Sequence, residues 1–155
     1  MERVLFVCTG NTCRSPMAAA FFKHLAAQKG VSVQASSCGL DVHTHTATPE
    51  AIEAAYGHGA DISSHKPHVL NALVVDEMDR IFTMTEAQKR RVEKEFPSAR
   101  GKVATLMEAI GTEGEIYDPI GKPLREYHNC AQQVWSAVDK LVTQMQGTLQ
   151  PSLRR

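Results

Sequence analysis

Short, nearly continuous apolar runs alternate along the chain with longer stretches in which apolar residues recur every three or four positions. Residues 3–7, 31–35, 80–84 and 102–106 are rich in apolar and β-branched side chains, as parallel strands covered on both faces tend to be. The stretch after the first run predicts a helix from Ser15 or Pro16 to about Lys29. Pro16 suits the first helical position, Gly30 supplies a stop, and Met17, Ala20, Phe21 and Leu25 form the buried stripe. Thr48-Pro49-Glu50 reads as a second helix start, with Ile52, Ala55 and Tyr56 on one face and Gly57 or Gly59 at its end. A short helix is expected over 71–78, and Thr85 caps another that runs through Glu95 and stops near Pro97. The last, over 124–146, buries Val134, Val138, Leu141 and Val142, with Trp135 at its margin.

Strands separated by helices predict an α/β fold: one domain over residues 1–155, a doubly wound four-stranded parallel sheet with helices on both faces. Ligands of such sheets bind beyond the carboxyl ends of the strands. Residues 107–123, with three glycines and two prolines, form the longest non-periodic stretch, and long loops in compact domains usually carry function. The tail 150–155 is expected to fray.

Composition narrows the classes. At 155 residues the chain suits one core, and 43% hydrophobic with 22% charged residues is an ordinary soluble composition. Seventeen basic and seventeen acidic side chains cancel, which argues against nucleic acid or a membrane surface as partner. No apolar segment reaches bilayer length, and Met1-Glu2-Arg3 leads into a run too short for a signal peptide. Four unevenly spaced cysteines without a metal-like C-x-x-C fit reduced thiols in a cytoplasm. The expectation is a cytoplasmic monomer needing no metal or cofactor; His43 and His45 lack partners at metal spacing.

The chemistry concentrates in Cys8-Thr9-Gly10-Asn11-Thr12-Cys13-Arg14-Ser15, between the first strand and the first helix. There, helix N–H groups point outward unpaired and the dipole favours an anion. Gly10 is expected to let the backbone turn, so that the N–H groups of residues 9–14 converge on phosphate. Arg14 offers a planar fork to its oxygens, and the positive surroundings favour the Cys8 thiolate. Asn11 suits a left-handed position, and Ser15 can donate to the Cys8 sulfur. Cys8 could also be a small buried hydrophobe, or pair with Cys13 in a disulfide or at a metal; the agreement of strand, turn, Arg, Ser and helix start favours the phosphate loop.

This string resembles the signature of the low-molecular-weight protein tyrosine phosphatase family: a cysteine, five residues, then Arg-Ser after the first strand. Tyr117-Asp118-Pro119 resembles the family's Asp-Pro loop, Ser37-Cys38-Gly39 its Ser-Ala-Gly and Ser64-His65 its Ser-His, all in the family's order. The resemblance implies a phosphorylated protein substrate, inorganic phosphate as product, and Cys8 as nucleophile of a phosphocysteine intermediate. It implies Asp118 as acid and then base, and a polar network of Asn11, Ser15, Ser37 and His65 behind the loop. It also implies a reversible Cys8–Cys13 disulfide. Taken alone, Asp118-Pro119 is equally a turn, His65 a loop histidine, Cys13 a loop filler, and Cys38 and Cys130 packing or surface thiols.

Two positions bear on the substrate. Thr12, where many family members carry isoleucine, resembles the bacterial protein-arginine phosphatase branch; its hydroxyl suits a phosphoguanidinium. After Asp118-Pro119 stand Ile120 and Gly121 instead of the usual aromatic, which weakens an aryl wall. Asp41 is expected at the pocket rim, where a carboxylate would welcome a guanidinium. Phosphoarginine is favoured slightly over phosphotyrosine. Arsenate reduction would need relay cysteines, none of which lies between Cys38 and Cys130; a non-catalytic phosphate-binding module would not need a reactive thiol.

Overall fold

The computed structural model describes residues 1–149, so the expectation for the tail falls outside the described residues. Four strands, β1 (Glu2–Cys8), β2 (Val33–Gly39), β3 (Arg80–Thr83) and β4 (Val103–Thr105), form one parallel sheet in the order β2-β1-β3-β4. The central strand β1 is buried on both faces, which its Val-Leu-Phe-Val run permits. Val4, Phe6 and Cys8 face one core, with α1 (Arg14–Gln28), α2 (Pro49–Tyr56) and α6 (Leu124–Leu149). Leu5 and Val7 face a smaller core with α3 (Ala72–Glu77) and α4 (Glu86–Glu95). Burying each of the large β1 side chains contributes roughly 1.5–3 kcal/mol. Among the described residues no helix is long and apolar enough to cross a membrane.

Most expected elements form, with their caps. Thr48, Asn71 and Thr85 accept first-turn N–H bonds of α2, α3 and α4. Trp135 sits half-buried at the margin of α6, edge-on to Phe21 at 5.1 Å and stacked on His58.

The strand expected over 31–35 forms later, as β2. The Val31 N–H donates to Ala26 O, closing the end of α1, so pairing begins at Val33. It continues because Ser36, Ser37, Cys38 and Gly39 pair with Leu5, Phe6, Val7 and Cys8, although they lack strand-like alternation. At 102–106 the strand is cut short: Thr105 and Glu108 form a capping box that starts the single turn α5 (Leu106–Ala109) inside the expected loop. Similarly, the Met84 N–H donates to Gln88 Oε1, which ends β3 at Thr83.

Candidate active site

Cys8 ends β1 and Arg14 begins α1, so residues 9–13 arch over the carboxyl edge of the sheet. Side chains cap α2, α3, α4 and α5, but none caps α1 at Cys13. The first-turn N–H groups of α1 are thereby left to an anion.

The turn is made by Asn11, which among the described residues is the one non-glycine with a positive φ, 56°. Gly10, given that task above, has no positive φ, and a Cβ there would meet only the Thr12 side chain at ordinary contact distance. The glycine that close approach does require is Gly39. A Cβ on it would lie 2.9 Å from the Asn11 Cβ, the Thr9 carbonyl oxygen and Val42. This closeness lets the Leu40 and Asp41 N–H groups donate to Cys8 O and Thr9 O and seat the loop on β2.

Asn11 is fully buried and satisfied on both ends. Its Nδ2 donates to Ser15 Oγ at 2.8 Å and Ser37 Oγ at 3.0 Å, while Oδ1 accepts from the His68 N–H. His65 Nε2 lies 2.8 Å from Asn11 O. Burial first, then the nearby His68 and Lys23, lowers the pKa of His65 below the ordinary imidazole value, so the neutral ring is favoured and donates through Nε2. Ser15 Oγ already accepts from Asn11, and its one proton has two takers: Cys8 Sγ at 3.0 Å and Cys38 O at 3.4 Å. With Cys8 as a thiolate, which can only accept, the shorter contact takes it. The four residues expected behind the loop are thus one connected network.

Arg14 is buried, with Nη1 donating to Ile116 O at 3.0 Å and Nη2 lying 3.5 Å from Asp118 Oδ2. Sequence spacing could not bring residue 118 to residue 8; Arg14 does. The Asp118 side chain, 43% exposed, also accepts from the Ile120 N–H, a turn that keeps it over the loop. Cys8, Thr12, Asp118 and Ile120 line one cavity of about 290 Å³. A larger recess of about 590 Å³ behind the loop, lined by Lys23, His65 and Lys66, reaches neither Cys8 nor Asp118.

At the rim, Asp41 is not an open carboxylate. Arg91 of α4 grips both its oxygens at 2.6 and 2.8 Å, and this hydrogen bonding lowers the Asp41 pKa below the usual carboxylate range. The expected welcome for a substrate guanidinium is already taken by one from the chain itself. All four cysteines are free and buried, so Cys38 and Cys130 are packing thiols, not surface ones. Burial raises the Cys38 pKa to about 11.

Two contributors escaped the sequence reading. Gln88 Nε2 donates to Thr9 Oγ1 at 3.0 Å while its Oε1 accepts from Met84 and Thr85 N–H groups, fastening the loop to α4. The signal available was Thr85-x-x-Gln88, a capping box whose glutamine could serve further. Tyr127 of α6 is buried and lines the cavity. It stands one helical turn before Cys130 and Ala131, on the face that α6 turns inward.

The chain matches the family described as Low molecular weight phosphotyrosine protein phosphatase over residues 3–150. A protein-arginine-phosphatase of Bacillus subtilis is 33% identical over 92% of this chain and 95% of its own length. A probable low molecular weight protein-tyrosine-phosphatase, EpsP of Ralstonia solanacearum, is 35% identical over 92% and 94%. Among solved structures, a mutant of YwlE from Bacillus subtilis superposes with a TM-score of 0.89 at 32% identity, over 94% of this chain and 99% of that one. A low molecular weight protein tyrosine phosphatase from T. tengcongensis gives 0.88 at 36%, over 93% and 99%.

Proposed function

The chain belongs to the low-molecular-weight phosphotyrosine protein phosphatase family, and on that premise we propose that it hydrolyses phosphorylated protein side chains through a phosphocysteine at Cys8. The observation that carries this reading is the convergence on one sulfur: a serine proton, an uncapped helix N-terminus, and an arginine that draws a carboxyl to the same cavity.

The Cys8 thiolate attacks phosphorus, and the bond to the leaving atom breaks as Asp118, entering as the acid, protonates that atom. The N–H groups of residues 9–14 and the Arg14 fork hold the three equatorial oxygens. A single donor of this kind is typically worth on the order of 10²–10³ in rate. Asp118, now a carboxylate, then takes a proton from water; the hydroxide attacks phosphorus, the S–P bond breaks, and inorganic phosphate leaves. The Ser15 proton stabilises the departing thiolate. When peroxide oxidises Cys8 to the sulfenic acid, the Cys13 thiol condenses with it, giving a disulfide and water. Four free thiols suit a reducing compartment, and the cytoplasm is our assignment.

Phosphoarginine is the substrate we favour. Thr12 places a hydroxyl on the cavity wall where it can face a polar guanidinium and the attacking water, and relatives named protein-arginine-phosphatase share 33% and 34% of aligned residues. Phosphotyrosine is the second reading, favoured by Tyr127, an aromatic wall that Ile120 alone would not supply. The deciding experiment is kcat/KM on matched phosphoarginine and phosphotyrosine peptides, with Cys8→Ser as blank. A preference for phosphoarginine that Thr12→Ile reverses is the expected result; a phosphotyrosine preference indifferent to Thr12 gives the site to the aryl substrate.

A further inference from the structure

The glutamine that fastens the loop also decides which way a hydroxyl in the cavity points. Gln88 Oε1 accepts from the N–H groups of Met84 at 2.9 Å and Thr85 at 3.1 Å. Only the oxygen of an amide can meet two donors, so its nitrogen is the end that lies 3.0 Å from Thr9 Oγ1. That nitrogen can only donate. Thr9 Oγ1 therefore accepts, and its own proton is turned away from Gln88. Among the described residues no protein acceptor takes that proton. The two carboxylates of the same cavity are engaged elsewhere, Asp41 with Arg91, and Asp118 with Arg14 and the Ile120 N–H.

Thr9 is held in this arrangement at both ends. Its carbonyl accepts from the Asp41 N–H at 2.8 Å, and buried Gln88 is itself pinned by the capping box of α4. Thr9 lines the cavity with Cys8, Thr12 and Asp118, so an oriented O–H donor stands beside the nucleophile. Building on the phosphatase reading, we propose that the Thr9 hydroxyl donates to a phosphoryl oxygen of the substrate and that Gln88 is the positioning residue that aims it. The hydroxyl adds a side-chain donor to the backbone N–H cradle and the Arg14 fork. A donor already oriented before the substrate arrives has little freedom left to lose on binding. No bond of Thr9 is made or broken in the reaction, and its hydrogen bond is given up when inorganic phosphate leaves.

The test reads kcat/KM on a phosphopeptide and the inhibition constant of inorganic phosphate in a set of variants. Thr9→Val keeps the backbone N–H but removes the hydroxyl, and should weaken phosphate and lower kcat/KM by roughly tenfold or more. Thr9→Ser, which keeps the hydroxyl, should stay close to wild type. Gln88→Glu still offers oxygen to the Met84 and Thr85 N–H groups but turns the remaining hydrogen bond round. Thr9 Oγ1 must then donate to the carboxylate, and its proton leaves the cavity. That substitution should lose several-fold more in the wild-type background than in Thr9→Val, where only its charge acts. A harmless Gln88→Glu would reduce the pair to a fastening and overturn the inference, as would an equal loss in both backgrounds. Thr9 is exposed, so its two variants decide the matter even if Gln88→Glu fails to fold: Thr9→Val binding phosphate as tightly as wild type overturns the inference alone. A wild type that neither turns over phosphopeptide nor binds phosphate overturns the phosphatase reading and the inference with it.

Discussion

Asp118 is brought to the chemistry by a residue a hundred positions away in the chain. Arg14 holds the Ile116 carbonyl and lies 3.5 Å from the Asp118 carboxylate, so the guanidinium we propose for phosphate also sets the proposed acid beside it. That arrangement makes a graded prediction. Asp118→Ala should slow substrates with poor leaving groups by roughly 10²–10⁴-fold, the usual worth of general acid catalysis, while activated aryl phosphates lose much less. A leaving-group series at fixed pH checks it, and an equal loss throughout would remove Asp118 from that role. Cys8, Arg14, Ser15 and Asn11 were legible because loop, helix start and chemistry sit within eight consecutive residues. Gln88 and Tyr127 were not, because they come from helices whose sequence periodicity reports only that a face is buried. It does not report which cavity that face meets.

At the scale of elements, the loop's shape is set by β2 as much as by its own residues. Gly39 ends β2 opposite Cys8, and its missing side chain is what allows Asn11 and the Thr9 carbonyl to close in. Gly39→Ala should cost about 1–3 kcal/mol, the range for forcing a methyl into a packed site, and should lower phosphate affinity as the loop lifts. Urea unfolding and phosphate titration of the variant measure both. An unchanged midpoint and affinity would mean that the loop is not seated on β2. Elements marked by strong caps and uninterrupted apolar runs could be read in advance. The shift of β2 and the truncation of β4 could not, since one depends on an N–H consumed by the preceding helix and the other on a reciprocal cap that outcompetes one more strand residue.

Across the molecule, two partly buried imidazoles couple stability to pH. Burial lowers the pKa of both His58 and His65, with His128 adding to the first and His68 and Lys23 to the second. As the pH falls, the unfolded chain binds these protons first, near the ordinary imidazole value of about 6.5. The stability they confer is complete above that value and is lost as pH drops through their lower folded values. The carboxylates with lowered pKa, Asp41, Asp61 and Glu108, give up their contribution only below about pH 4. The urea midpoint should therefore fall between about pH 7.5 and 5.5, and fall less in His58→Phe; a flat midpoint would contradict the assignment.

The most direct test of the central claim is to mix the wild-type protein with excess phosphopeptide, quench within milliseconds, and take the mass of the protein and of its Cys8-containing peptide. The account predicts one phosphoryl group on Cys8, absent in Cys8→Ala and formed in a burst before steady turnover. Peptide hydrolysis with no phosphoryl on Cys8 at any quench time, or with the group on another residue, would contradict it.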